Sequence, residues 1–442
     1  MTLEGMTFHL ETVGCQMNVH DSIVIEGVLR RRGLRAADGL GDAQVIILNT
    51  CSIRERAEEK VFGRLGELSS LKERGNLVIL GVSGCMAQRA AESVLDRAPS
   101  VDFVTGTETF PQIPSLLERI LAGQRPIVDV STGHALPPPA ARRLETGSVK
   151  AFISVMRGCD KRCTFCIVPT TRGPERSRPL SEVVAEAEAL AATGVLEVTL
   201  LGQTVNSYRD GSAGFADLLR AVDAVEGIRR IRFTTNHPND MTDEVLEAVA
   251  TCPKVCEHLH LPAQSGSTRV LGLMARGYTR EIYLRIVGRA RAWMPRVSLT
   301  TDLIVGFPGE TEEDFVETLS LVEEVRYDGA YTFKYSPREG TPAATMPDQV
   351  PLDVMKDRLA RLNERVKALA DGVNRSLTGA DDEVMIEALD GGGEWPVRAK
   401  TRTNKTLFLE EAPGPVGSVH RVRISRSRGL TLYGLPVRMP AA

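Results

Sequence analysis

The sequence predicts an α/β protein in three parts. An N-terminal open parallel α/β sheet domain spans 1–130, and a linker spans 131–148. A central partial (β/α)6 barrel spans 149–377, and a small C-terminal β-barrel of the oligonucleotide-binding (OB-like) sort spans 378–442. Three observations carry this division. Short apolar, β-branched runs alternate with helical stretches as far as Tyr335, the rhythm of parallel sheets with helices on both faces. Pro137-Pro138-Pro139 breaks that rhythm once, and proline runs make extended, semi-rigid spacers. After Gly379 the helical period gives way to five short alternating stretches separated by glycines.

In the N-terminal part, Thr7 to Val13, Val45 to Asn49, Leu77 to Val82 and Val101 to Thr105 read as buried strands. Asp21 to Arg32, Ser52 to Glu73 and Ala87 to Arg97 read as the helices between them. Cys15, Cys51 and Cys85 each follow one of these strands. The carboxyl ends of parallel strands line the ligand crevice of an open sheet, so cysteines about 35 residues apart are expected to meet on one rim. A lone cysteine there would be packing. Three suggest an iron–sulfur cluster with one iron left without a protein ligand.

Beyond the linker, Arg157-Gly158-Cys159-Asp160-Lys161-Arg162-Cys163-Thr164-Phe165-Cys166 follows the apolar run Ala151 to Met156. Three cysteines at this spacing suit one small inorganic centre held by thiolates, and Arg157, Lys161 and Arg162 favour the thiolate form. A zinc knuckle would need a fourth Cys or His nearby; the nearest histidines, His134 and His237, are not close in sequence. Val149 to Met156, Val195 to Leu201, Ile228 to Thr235, Val255 to Leu261, Val297 to Val305 and Ala330 to Tyr335 are six strand candidates. Leu180 to Ala192, Thr242 to Ala250, Thr279 to Trp293 and Glu312 to Glu324 read as helices between them. Chemistry is expected at the carboxyl ends of barrel strands. There the chain places Gln203, Asn206, Asn236, His237, Gln264 and the turn Val305 to Glu310. One polar loop is ordinary, and His237 fits a helix cap as well as an acid–base role; four such loops on one rim suit a polar ligand. Cys252 and Cys256 read as small buried apolar residues.

Pro351 to Leu377 reads as one long helix with a packing stripe of Met355, Leu359, Leu362, Val366 and Leu369. The barrel strands are Glu383 to Ala388, Trp395 to Thr401, Thr406 to Leu409, Val419 to Ile424 and Leu430 to Leu435. From Arg398 to the C-terminus nine Lys or Arg face only Glu410 and Glu411. That is a local basic patch on a chain of net charge −3, the footprint of a phosphate-backbone binder. Arg398, Lys400, Arg402, Lys405, Arg421 and Arg423 are the expected RNA contacts. The chain has no apolar run long enough for a membrane span, and Met1 to Gly14 lacks the apolar core of a signal peptide. Its eight cysteines are expected to be reduced thiols. A cytoplasmic protein with no membrane partner is expected.

The Cys159–Cys163–Cys166 stretch resembles the signature of the radical S-adenosylmethionine (SAM) superfamily, with Phe165 as its usual aromatic. Gly14-Cys15-Gln16-Met17-Asn18, Asn49-Thr50-Cys51-Ser52-Ile53-Arg54 and Gly84-Cys85-Met86-Ala87-Gln88-Arg89 resemble the N-terminal domain of the methylthiotransferase family. Arg172-Gly173-Pro174-Glu175-Arg176-Ser177-Arg178, Gly202-Gln203-Thr204-Val205-Asn206 and Ile304-Val305-Gly306-Phe307-Pro308-Gly309-Glu310 are similar to its tRNA-modifying branch. Thr401-Arg402-Thr403-Asn404-Lys405 resembles a TRAM domain, an RNA-binding module. Thr204 and Ala263 replace the branch's more usual Asn and Val.

The resemblance implies two 4Fe–4S clusters, one on Cys159, Cys163 and Cys166 and an auxiliary one on Cys15, Cys51 and Cys85. It places SAM beside Phe165, Gln203, Gln264, Val305, Gly306 and Glu310. One SAM would methylate a sulfur at the auxiliary cluster. A second would give a 5′-deoxyadenosyl radical that attacks C2 of N6-isopentenyladenosine in a tRNA anticodon stem-loop. An external one-electron donor, such as flavodoxin or ferredoxin, and a sulfur source are implied partners. Sister methylthiotransferases act on threonylcarbamoyladenosine in tRNA or on an aspartate of a ribosomal protein. Gln16-Met17-Asn18 and the Arg172 to Arg178 block favour the isopentenyl branch. An RNA-binding iron–sulfur electron carrier is the non-catalytic alternative.

Overall fold

The computed structural model describes residues 2–52, 55–75, 78–133, 148–389 and 393–437, the side chains of 55–57 excepted. Ile53, Arg54, Leu77, His134, Pro137 to Pro139 and Arg438 therefore lie outside the described residues. The chain divides into two compact units. The first comprises Met1–Thr146, Met156–Lys161 and Ile167–Arg178; the second comprises Gly147–Val155, Arg162–Cys166 and Pro179–Ala442.

The first unit is built on a parallel sheet in the order β2-β1-β3-β4-β5-β6. Its strands are β1 (Thr7–Val13), β2 (Arg35–Ala36), β3 (Val45–Thr50), β4 (Ile79–Gly84), β5 (Phe103–Thr105) and β6 (Ile127–Asp129). Helices α1 (Gln16–Arg31), α2 (Glu55–Glu73), α3 (Cys85–Arg97) and α4 (Ile113–Leu121) accompany it. Val45 and Ile47 pack into one apolar cluster with Phe8, Ile25 and Leu117. Ile46 and Leu48 enter a different one with Val61, Leu80 and Val104. Successive strand residues point to opposite faces, so a strand covered on both sides must be apolar throughout, as Val45–Leu48 is. Each such side chain contributes roughly 1.5–3 kcal/mol by leaving water. The short helix α5 (Val168–Arg172) and a two-residue antiparallel pair, Met156–Arg157 with Arg176–Ser177, complete this unit.

The second unit begins with two three-stranded parallel sheets. Lys150–Ser154, Glu197–Leu201 and Arg230–Phe233 form one; His258–His260, Ser298–Val305 and Gly329–Lys334 form the other. A lone parallel bridge, Ile231 to Val255, links them into an open partial barrel. Its helices start at residues whose side chains accept backbone N–H groups that the first turn leaves unpaired. Thr242 caps Asp243–Thr251, Thr279 caps Arg280–Trp293, and Thr311 with Asp314 makes a capping box on Glu312–Val325. Helix Leu352–Ser376 buries Met355 and Leu362 along the expected stripe. It leads into a closed five-stranded barrel of Asp381–Leu389, Val397–Thr401, Thr406–Leu409, Val419–Arg428 and Thr431–Pro436.

Buried guanidinium groups tie this barrel to the central strands. Arg230 donates to the carbonyl of Lys400 at 2.7 Å and to Glu383 at 2.9 Å. Arg232 donates to the carbonyls of Thr401 at 2.8 Å and Arg402 at 3.0 Å. No helix among the described residues is long and apolar enough to cross a membrane.

Candidate functional site

Cys15, Cys51 and Cys85 all stand where a central strand of the first unit ends. Cys15 caps α1, with its amide and Sγ at 3.2 and 3.3 Å from Asn18 Oδ1. Asn18 donates to the Thr50 carbonyl at 3.1 Å, and Asn49 donates back to the Asn18 carbonyl at 2.8 Å. Thr50 in turn donates to the Ser83 carbonyl at 2.6 Å. The ends of β1, β3 and β4 are thus tied in series. Gly84 (φ +96°) permits the turn into Cys85, since a Cβ there would stand 2.3 Å from the Thr50 carbonyl oxygen.

The Cys51 thiol hydrogen-bonds to Cys15. That bond and the Arg172 charge outweigh burial and bring the Cys15 pKa down to about 6. Burial dominates at Cys85 and pushes its thiol up, although Arg172 Nε lies 3.2 Å from its sulfur. Arg172 Nη1 donates to Asp21 at 2.6 Å. The other Asp21 oxygen accepts from Arg157, which also donates to the Thr107 carbonyl at 2.7 Å. Burial opposes the Asp21 charge, but Arg157 and Arg172 outweigh it and hold the carboxyl below its ordinary range. Arg172 Nη2 is buried with no hydrogen-bond partner among the described residues. A donor left over beside three thiols fits an anionic group held by them. Among the described residues no three His, Cys, Asp or Glu side chains converge on a single metal-ion position.

The second trio occupies one short loop. Gly158 (φ +76°) precedes Cys159 where a Cβ would lie 1.9 Å from the Pro174 carbonyl oxygen, and the Cys159 amide donates to the Gly173 carbonyl at 3.2 Å. Cys159 belongs to the first unit, Cys163 and Cys166 to the second. The Cys166 amide closes a turn on the Cys163 carbonyl at 3.1 Å. Arg276, a buried residue the sequence does not single out, donates to the Cys163 sulfur at 3.1 Å. Arg157, expected to favour thiolates in its own loop, is instead paired with Asp21.

At the carboxyl ends of the second unit's strands, several buried polar atoms lack hydrogen-bond partners among the described residues. They are Gln203 Oε1, Asn236 Oδ1, Glu310 Oε2 and the Tyr335 hydroxyl. Burying polar groups without partners is costly, so this rim fits a ligand carrying several donors, as SAM does. Glu310 Oε1 accepts from the Gly306 amide at 2.7 Å and from Arg358 at 2.8 Å, yet burial lifts its pKa to about 7. Gln264 is buried with φ +69°, and Val305 is fully buried. Phe165 stands edge-on to Phe307 at 6.3 Å. His237 accepts from the Asn239 amide at 3.3 Å as a cap, which supports the capping alternative. Cys252 and Cys256 are buried, and burial raises both thiols.

The expected RNA contacts divide. Arg421 and Arg423 are exposed, at 3.2 and 2.8 Å from Asp381. Arg398 is 3.7 Å from Glu387, and half-buried Lys400 donates to Thr406 at 3.3 Å. Arg402 and Lys405, also expected there, are engaged within the chain. Arg402 donates to the carbonyls of Pro253 at 3.0 Å and Val255 at 2.6 Å and pairs with Glu257 at 2.9 Å. Lys405 is buried against Asp328 at 2.5 Å and Asn374 at 2.8 Å. Both fasten the barrel to the rest of its unit.

Residues 153–322 match the Radical SAM superfamily, and 7–106 match Uncharacterized protein family UPF0004. The chain is 44% identical over 435 residues to the tRNA-2-methylthio-N(6)-dimethylallyladenosine synthase of Syntrophomonas wolfei, covering 97% of each. It is likewise 44% identical to that of Carboxydothermus hydrogenoformans, covering 98% of this chain and 99% of the relative. Among solved structures, the radical S-adenosylmethionine methyltransferase TsrM of Kitasatospora setae, with cobalamin and a 4Fe–4S cluster bound, shares the fold. Its TM-score is 0.58 at 15% identity, covering 77% of this chain and 74% of that one.

Proposed function

The chain belongs to the family of the tRNA-2-methylthio-N(6)-dimethylallyladenosine synthases, within the radical SAM superfamily, and we propose that it places a methylthio group on C2 of N6-isopentenyladenosine beside a tRNA anticodon. It is a transferase of the cytoplasm, acting on the anticodon stem-loop with an external one-electron donor and a sulfur source as partners. The observation that carries the reading is the gathering of Cys15, Cys51 and Cys85 around Arg172 in a chain whose central part matches the radical SAM family.

Cys159, Cys163 and Cys166 would hold one 4Fe–4S cluster and Cys15, Cys51 and Cys85 a second. With SAM bound, these centres supply the one-electron chemistry that an unactivated aromatic C–H bond requires. The protein's part is positioning and electrostatics. Arg276 keeps Cys163 beside a positive charge, and Arg172 does the same for Cys15 and Cys85. Asp21 fixes Arg172 by accepting from it. Gln203, Asn236 and Glu310 would accept hydrogen bonds from SAM, with Gln264, Val305 and Gly306 shaping the same rim. Phe165 and Phe307 exclude water beside it. The target base must be splayed from its stack to reach such a rim.

Two measurements test this. In cells lacking the gene, nucleoside mass spectrometry of tRNA should lose the 2-methylthio-isopentenyl peak, and this chain should restore it; a persisting peak would argue for a different substrate. The Cys15→Ala/Cys51→Ala/Cys85→Ala protein, assayed anaerobically, should lose one cluster's iron and sulfide, still cleave SAM and form no methylthio product. Loss of all iron would count against two separate centres.

A further inference from the structure

The outer face of the C-terminal barrel carries a row of side chains that the proposed chemistry does not use. Strand register places Arg398 opposite Phe408, Phe408 opposite Tyr433, and Tyr433 opposite Arg426. The alternate residues Val397, Ala399, Leu407, Leu409 and Leu432 are buried, so the row faces outward. A register shift between Ile424 and Arg426 turns both Ser425 and Arg426 out of the core. Trp395, just ahead of the strand Val397–Thr401, meets the Tyr433 ring edge-on at 4.9 Å, and Phe408 lies tilted against Tyr433 at 6.2 Å. The Arg426 guanidinium sits 4.4 Å from the Tyr433 centroid and 5.1 Å from that of Trp395.

We propose that Trp395, Phe408 and Tyr433 form a stacking platform for an unpaired base of the RNA substrate, with Arg426 and its neighbours on the adjoining phosphates. Rings gathered only for packing would bury one another. These three stay partly exposed, and an exposed guanidinium lies over the Trp395 and Tyr433 rings. The occupant follows from charge complementarity. Arg421, Arg423, Arg426 and Arg428 stand exposed along one strand, answered by Asp381 at Arg421 and Arg423. Aromatic faces bordered by cations bind bases by stacking and the backbone by charge, with little regard to sequence. The inference rests on the substrate being RNA and adds how its loop is gripped. It also relocates the binding face from Arg402 and Lys405, which hold the barrel in place, to the strands carrying Phe408, Arg426 and Tyr433.

The chain has two tryptophans, so Trp293→Phe leaves Trp395 as the sole indole reporter. A stem-loop oligoribonucleotide with an unpaired loop should quench its fluorescence, and a fully paired duplex of equal length should not. Tyr433→Ala should weaken stem-loop binding about tenfold and leave duplex binding unchanged, while Tyr433→Phe keeps the parent affinity and so controls for folding. Equal losses for stem-loop and duplex, or quenching by both alike, would reduce the face to a plain charge patch and overturn the platform. Persistent methylthio product with no quenching would remove the platform alone. Quenching with no product would remove the proposed reaction and leave the platform standing.

Discussion

The two strand-end rims of this protein handle buried polarity in opposite ways. In the first unit Asn18 pairs with Asn49, and Asp21 with Arg157 and Arg172, while the Arg172 Nη2 donor and the Ser52 and Ser83 hydroxyls at the strand ends stay without a partner among the described residues. In the second unit the atoms left over among the described residues are chiefly acceptors, Gln203 Oε1, Asn236 Oδ1 and Glu310 Oε2, with the Tyr335 hydroxyl beside them. A rim whose leftover group is a guanidinium N–H fits an anionic group. A rim whose leftover groups are acceptors fits a ligand that brings its own donors.

The comparison breaks most readily at Asp21. Asp21→Ala leaves Arg157 and Arg172 buried without their shared counter-charge, and one-sided loss of a buried pair costs roughly 3–5 kcal/mol. Denaturant unfolding should show that loss; a change below about 1 kcal/mol would mean the network is not the anchor described. Glu310 makes a smaller, pH-dependent contribution. Its folded pKa of about 7 lies above the ordinary 4.5, so its contribution is full below pH 4.5 and is lost as pH rises through 7. The difference is on the order of 3 kcal/mol. Glu310→Gln should flatten the stability profile across that window, and an unchanged slope would place the titration elsewhere. The smallest effect belongs to Gln203. Gln203→Ala should leave stability within about 0.5 kcal/mol, since it removes an idle acceptor, yet weaken SAM binding about tenfold by calorimetry. A large stability loss with unchanged SAM affinity would reverse its role.

The framework of the first rim was legible because a strand covered on both faces must be continuously apolar, as Val45–Leu48 is. The strand expected to stop at Val82 runs on to Gly84, because pairing with Thr50 carries the ladder through residues that read as a turn. The six cysteines proposed as cluster ligands stood out by spacing and by position at strand ends. Asp21 did not. A carboxylate near a helix start looks like a favourable surface charge, and its partners lie 136 and 151 residues away. Arg276 was hidden for the same reason, 113 residues from Cys163. The inward pairing of Arg402 and Lys405 was not legible, because a count of cations cannot separate those turned to solvent from those already paired inside. The aromatic row went unseen because strand pairing, not sequence proximity, assembles it.

Arg230 and Arg232 fasten the C-terminal barrel largely through main-chain oxygens of Lys400, Thr401 and Arg402. This part of the clasp recognises peptide groups, so it places no demand on the side chains of Lys400 and Thr401. Residues that face outward from the barrel strands, away from these contacts, can therefore be exchanged while the module stays seated.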